Sequence, residues 1–199
     1  MGYYENRLLT ELDGKGYKYQ AVSDIFRLEC VDPIVVETIL KWLPELYAEH
    51  YGTADILVRA LISAKEPFDP TLLIDLFENS DLNFYLKTAI GLALAYGKTP
   101  DISGWLKNQL LTMEYSVERG VLVEGLFAKG GFKTEREYMD FLKLIFDKYH
   151  NDTVLKIFKK IGNAEDIQFL VDKSRLADAK LAKKIKKALG KKWSEKNVK

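Results

Sequence analysis

The residues best suited to acid–base or metal chemistry are sparse: the chain holds two histidines, His50 and His150, and a single cysteine, Cys30. An imidazole can move a proton near neutral pH or bind a transition metal, and a thiolate can act as a nucleophile, but each needs partners at set spacings. Neither histidine falls in an HExxH helix, the lone cysteine permits neither an internal disulfide nor a CxxC site, and no GxSxG elbow or GxxxxGK[ST] phosphate loop is present. Carboxylates abound, yet no acid and base pair is marked by spacing. These residues predict a non-enzymatic protein with no cofactor and no metal site, in which Cys30 is a buried, inert thiol.

Charged and polar residues suited to recognition are more plentiful. Asp55 and Arg59 lie four apart, and Asn83, Lys87, Glu114 and Arg119 recur at related positions further along. Together these six form the predicted partner-binding row, because they lie opposite the apolar residues of their segments. Asp55 and Arg59 can also serve simply as an i,i+4 ion pair within one helix. A second group, Lys180, Lys183, Lys184, Lys186, Lys187, Lys191 and Lys192, could neutralise an anionic ligand through counterion release. The same lysines would equally suit the solvated outer face of a terminal helix.

That second group reflects a wider polarity. The net charge of +1 conceals a net of −8 over residues 1–128 and +9 over residues 129–199. A chain of 199 residues with 47% apolar and 30% charged content is long and apolar enough for a sizeable core, which excludes wholesale disorder. Apolar runs stay below the ~18 residues of a membrane span. Tyr3, Tyr4 and Glu5 lack the basic-then-apolar order of a secretory signal, so a cytoplasmic location is expected.

The elements that must position these residues are helices. One apolar template, Ile56, Leu57, Ala60, Leu61 and Ala64, returns as Tyr85, Leu86, Ala89, Ile90 and Ala93. Leu57, Leu86, Val117, Val154 and Leu181 are equivalent, followed by Leu61, Ile90, Val121, Phe158 and Ile185, at a period of about thirty residues. Such a period implies stacked helical pairs, since one unit cannot bury its own apolar face. Small residues at Ala60, Ala89 and Gly120 would let helices approach closely. Asp32-Pro33, Asp69-Pro70 and Thr99-Pro100 each offer an N-cap acceptor followed by proline, predicting three helix starts. Trp42 and Trp105 occupy apolar positions of those helices and are expected in the core. Tyr47, His50 and Tyr51 follow Pro44; they could form an exposed anchor of the kind enriched at protein interfaces, but packing under the next helix is the favoured expectation.

The expected fold is all-α: a right-handed α-solenoid of about five helix pairs behind an N-terminal helical hairpin. The predicted organisation is a single domain over 1–190, with the cap at 1–31, repeats at 32–190 and a basic tail at 191–199. The pairs span about 32–64, 69–96, 99–129, 134–162 and 164–190.

The capped first helices, with a second helix of the type Thr53-Ala54-Asp55-Ile56-Leu57-Val58-Arg59-Ala60-Leu61, resemble the HEAT-like repeat family in its short-period form. The resemblance covers roughly Asp32 to Gly130; Lys87 and Arg119 keep the basic position approximately, while Phe84 replaces the aspartate or Glu114 displaces it. It implies a scaffold whose second helices line a concave surface that commonly binds protein and in some members nucleic acid. Some DNA base-excision glycosylases resemble such arrays, but no residues here match their site. The expected function is therefore a protein-interaction scaffold, adaptor or inhibitor, with nucleic-acid binding through the basic C-terminal helices as the alternative and glycosylase-like activity as a remote option. The protein is expected to be a monomer or weakly self-associating, without membrane contact.

Overall fold

A computed structural model describes residues 2–79, 81–112, 117–150 and 152–192. Within them the chain is all-helical, with a lone bridge between Val31 and Ala64 in place of any strand. An N-terminal pair, α1 (Tyr3–Gly14) and α2 (Val22–Phe26), is followed by α3 (Pro33–Glu49) and α4 (Tyr51–Ala60), then α5 (Thr71–Glu78) and α6 (Phe84–Tyr96). The chain continues through α7 (Ser103–Thr112), α8 (Val117–Gly120) and α9 (Leu122–Ala128). It ends in α10 (Glu135–Ile145), α11 (Asp152–Ile161), α12 (Ala164–Leu176) and α13 (Ala179–Leu189). No helix among the described residues is long and apolar enough to cross a membrane.

The helix starts are built largely by side-chain caps. Asp32 Oδ1 accepts from the Ile34 amide at 3.1 Å, with Pro33 as the first helical residue. Asp69 Oδ1 accepts from the Thr71 amide at 3.0 Å and its hydroxyl at 2.6 Å, so α5 begins one residue after Pro70. Thr99-Pro100 does not start a helix: Asp101 Oδ1 takes the Ser103 amide at 2.8 Å and α7 begins there. Two acceptors compete within a few residues, and the aspartate nearest the free amide wins. Asn163 and Asp166 cap α12 reciprocally, and Asp178 caps α13.

The apolar template drives the packing. Leu57, Leu86 and Val154, and then Leu61, Ile90, Phe158 and Ile185, are fully buried, whereas Val121 and Leu181 are partly exposed. At Val121 the chain turns between α8 and α9, so the helix expected there is split in two. The second helices touch in succession, α4 on α6, α6 on α8 and α9, α9 on α11, and α11 on α13. Each also holds its own first helix: α3 on α4, α5 on α6, α7 on α9, α10 on α11 and α12 on α13. Ala60, Ala89 and Gly120 are buried, and two glycines mark close approach as well. A Cβ on Gly125 would stand 2.5 Å from Ala95 Cα, and one on Gly91 would stand 2.8 Å from Val121 Cγ2.

Polar contacts join successive units along both rows. On the first helices, the Trp42 indole donates to Glu11 Oε2 at 2.8 Å and the Trp105 indole to Glu78 Oε1 at 2.8 Å. Both rings are half-buried against the core rather than inside it, because each indole N–H needs a partner and finds it at the rim. Just beyond the ends of α6, α9 and α13, lysine ammoniums reach back to carbonyls at or after an earlier helix end: Lys98 to Lys65 at 2.8 Å, Lys129 to Gly97, and Lys192 to Lys159 at 2.6 Å. Terminal carbonyls have no partner within their helix and carry partial negative charge, so a cation satisfies both needs. Cys30 is exposed, against expectation: Val31 takes the inward position and Cys30, in the bend before it, faces solvent. Tyr51 is likewise exposed, stacked on His50 with ring centroids 5.9 Å apart.

Candidate partner-binding surface

The predicted row does not form one solvent-facing surface. Arg59 grips Asp55 in a forked pair, Nε to Oδ2 at 2.8 Å and Nη2 to Oδ1 at 3.1 Å, so both side chains are engaged within α4. Asn83 is the N-cap of α6, its Oδ1 accepting from the Tyr85 amide at 2.9 Å. Lys87 is only 7% exposed; its ammonium donates to the Asn79 carbonyl at 3.2 Å and lies 5.5 Å from the centre of the Phe77 ring. Burial, and then the nearby Arg119, push its pKa down. The Arg119 guanidinium lies over the same ring at 6.0 Å and 3.9 Å from Glu118. Lys87 and Arg119 thus fold into a seam of α5, α6 and α8, where cation–π contact compensates the loss of water. Glu114 lies outside the described residues.

The C-terminal lysines also divide. Lys180, Lys183, Lys186, Lys187 and Lys191 are exposed. Lys184 donates to the His150 carbonyl at 2.8 Å and lies 3.5 Å from Asp152, and Lys192 is held by the Lys159 carbonyl. They do not form one patch, because a helix distributes them around its axis. Lys180, Lys183, Lys184 and Lys187, at i, i+3, i+4 and i+7, share one side of α13, while Lys186 lies away from it.

That side of α13 faces α11 across a groove of about 340 Å³ lined by Asp152, Lys156, Lys159, Lys184, Lys187 and Ala188. Four ammoniums therefore meet a single carboxylate. Lys156 and Lys159 were not among the residues singled out from the sequence. Their i,i+3 spacing on the polar side of α11, with Lys160 adjacent, is the signal that could have found them.

Across α11 lies a larger groove of about 540 Å³ between α9, α10 and α11. Phe127, Ala128, Tyr138, Ile157 and Ile161 give it carbon surface. Phe127 stacks on Tyr138 with centroids 4.8 Å apart, and the Tyr138 hydroxyl turns inward to the Val123 carbonyl at 2.8 Å. Burial drives the Tyr138 phenol well above its ordinary range, so it stays neutral. Lys156 and Lys160 stand on the α11 rim, with Glu124 and Glu135 contributed from α9 and α10. Glu124 accepts from the Tyr96 hydroxyl, which fixes its carboxylate. Lys156 lines both grooves, making the two sides of α11 one continuous surface.

The two histidines make structural contacts. His50 caps α4 by accepting from the Thr53 amide on Nδ1 at 3.2 Å. His150 packs on Phe146 at 4.9 Å, and burial holds its pKa below the usual value, with Asp147 opposing. Among the described residues, no cluster of three or more His, Cys, Asp or Glu side chains could hold a metal ion.

Searches of the chain against protein-family models, curated proteins and solved structures return no match.

Proposed function

We propose that the protein is a non-enzymatic interaction scaffold: a solenoid of about five helix pairs behind an N-terminal hairpin, binding an acidic segment of a protein partner on its second-helix face. Successive packing of α4, α6, α9, α11 and α13 supports the solenoid reading, since each second helix contacts the next. The observation that carries the function is Lys156, shared by two adjacent grooves on either side of α11. Rigid helices hold Lys156, Lys159, Lys184 and Lys187 in place before a partner arrives, which reduces the ordering cost of association. The excess of positive charge over residues 129–199 steers an acidic partner towards this end.

Nucleic acid is the competing reading and draws on the same lysines. Glu124 and Glu135 beside the larger groove oppose a phosphate backbone, and one face of Phe127 is already covered by Tyr138, which limits base stacking. The test is affinity capture from nuclease-treated lysate, comparing the wild type with a Lys159→Glu/Lys187→Glu variant. Both lysines are exposed, so helicity should be retained. A partner that survives nuclease and is lost from the variant supports the proposal. Capture that disappears with nuclease, or that survives charge reversal, contradicts it.

A further inference from the structure

We infer that the groove between α9, α10 and α11 is an anchor site for an amphipathic helix of the partner, one that carries carboxylates on the flank facing α11; the inference rests on the acidic-partner reading above. The groove has room for large apolar side chains, and its volume of about 540 Å³ lies within the range of ligand clefts. Its surface is suited to them: Phe127, braced from beneath by the buried Tyr138 ring, offers an exposed aromatic face, and Ile157 and Ile161 complete an aliphatic wall. Burying a large apolar side chain here supplies an attraction that salt does not screen, which lysines alone cannot give.

The rims define the flanks of the guest. Lys156 and Lys160 line the α11 side, and Lys156 continues into the lysine groove against α13. Glu124 and Glu135 belong to α9 and α10. A guest with carboxylates along both flanks would meet repulsion from the second pair. A helix separates its surfaces by angle, so an apolar stripe at i, i+3, i+4 and i+7 can be bordered by glutamates on one side and lysines on the other. That pattern matches the apolar floor and the oppositely charged walls together.

The probe is a fluorescein-labelled synthetic helix carrying Leu and Phe on one stripe, Glu on one flank and Lys on the other, followed by fluorescence anisotropy against the full chain. Control probes replace the Leu and Phe by Ser, or substitute an oligothymidylate of similar length. Ala128→Trp occupies the groove from an exposed position and spares the α11–α13 lysines. Glu135→Lys, also exposed, reverses one rim without filling the groove.

We expect the anchored probe to lose about tenfold or more in affinity on Ala128→Trp and a measurable part on Glu135→Lys. Lys159→Glu/Lys187→Glu should weaken it as well, while the Ser probe should bind weakly and ignore Ala128→Trp. If lysine reversal abolishes binding but Ala128→Trp and Glu135→Lys do not matter, the anchor inference is overturned and the acidic-partner reading stands. If oligothymidylate binds and the anchored probe does not, both fall. Circular dichroism of each variant separates lost contact from lost fold, and the two variants alter the groove by different means.

Discussion

The Lys129 ammonium bridges two residues of the segment between α6 and α7, donating to the Gly97 carbonyl and, at 2.9 Å, to Thr99 Oγ1. Gly97 follows the end of α6, so this contact satisfies a carbonyl that α6 itself leaves open. Lys129 is half-buried, and that burial lowers its pKa. Lys129→Met keeps the length and removes the donor. Leaving the carbonyl unpaired should cost about 1–3 kcal/mol, read as a lower denaturant midpoint with an unchanged slope.

Gly125 sits against Ala95 where α6 and α9 come closest. A methyl group there would stand 2.5 Å from both Ala95 Cα and Cβ, and the helices must separate to admit it. Gly125→Ala should destabilise by about 1–3 kcal/mol despite its better helix propensity, because overpacking outweighs the propensity gain. A chemical denaturation curve decides the sign.

Acid should expose the tie between α1 and α3. Glu11 accepts from Lys15 at 2.8 Å, Lys41 at 2.7 Å and the Trp42 indole at 2.8 Å, and these bonds hold its carboxyl down to about 2 from an ordinary 4.5. The unfolded chain binds this proton first, so Glu11 stabilises the fold above about pH 4.5 and loses that contribution as the pH falls towards 2. Glu11→Gln should be less stable at neutral pH and show a flatter loss across that window. Thermal unfolding measured from pH 6 down to about 2 checks both.

Lys87 should be dispensable for binding. Its ammonium is buried over Phe77 beside the Arg119 guanidinium, and burial together with that like charge disfavours its charged form. Lys87→Met preserves the stem and relieves the repulsion, at the expense of the bond to Asn79. Partner affinity should be unchanged by this substitution while Lys159→Glu/Lys187→Glu reduces it; titration of the captured partner against each variant makes the comparison.

Much of the helical organisation is legible in the residues. The template residues Leu57, Leu86 and Val154 are buried because an apolar stripe of helical period has only one face to hide. Asp32-Pro33 caps as its types require, whereas Thr99-Pro100 yields to Asp101 two residues on. The lysines at 65, 98, 129, 160 and 192 recur at nearly the template's own period, and three of them bridge adjacent units, a regularity hidden when only apolar positions are aligned.

The candidate surface is less legible, for a physical reason. Lys87 lies opposite the template on α6, but α5 and α8 fold over that side, and a helical wheel carries no information about what covers its polar face. Lys156 and Lys159 are ordinary exposed lysines until α13 sets Lys184 and Lys187 across a groove from them. Adjacency between helices about thirty residues apart decides which charges act together, and the spacing along one helix does not report it.

The most direct test of the account is hydrogen–deuterium exchange of the full chain with and without its captured partner. The account predicts that amides of α11 and of α13 around Lys184 to Ala188 slow on binding, with α9 near Phe127 following, while α1, α3 and α5 exchange as before. Protection confined to α1–α5, or an unchanged exchange pattern in α9, α11 and α13 at saturating partner, would contradict it.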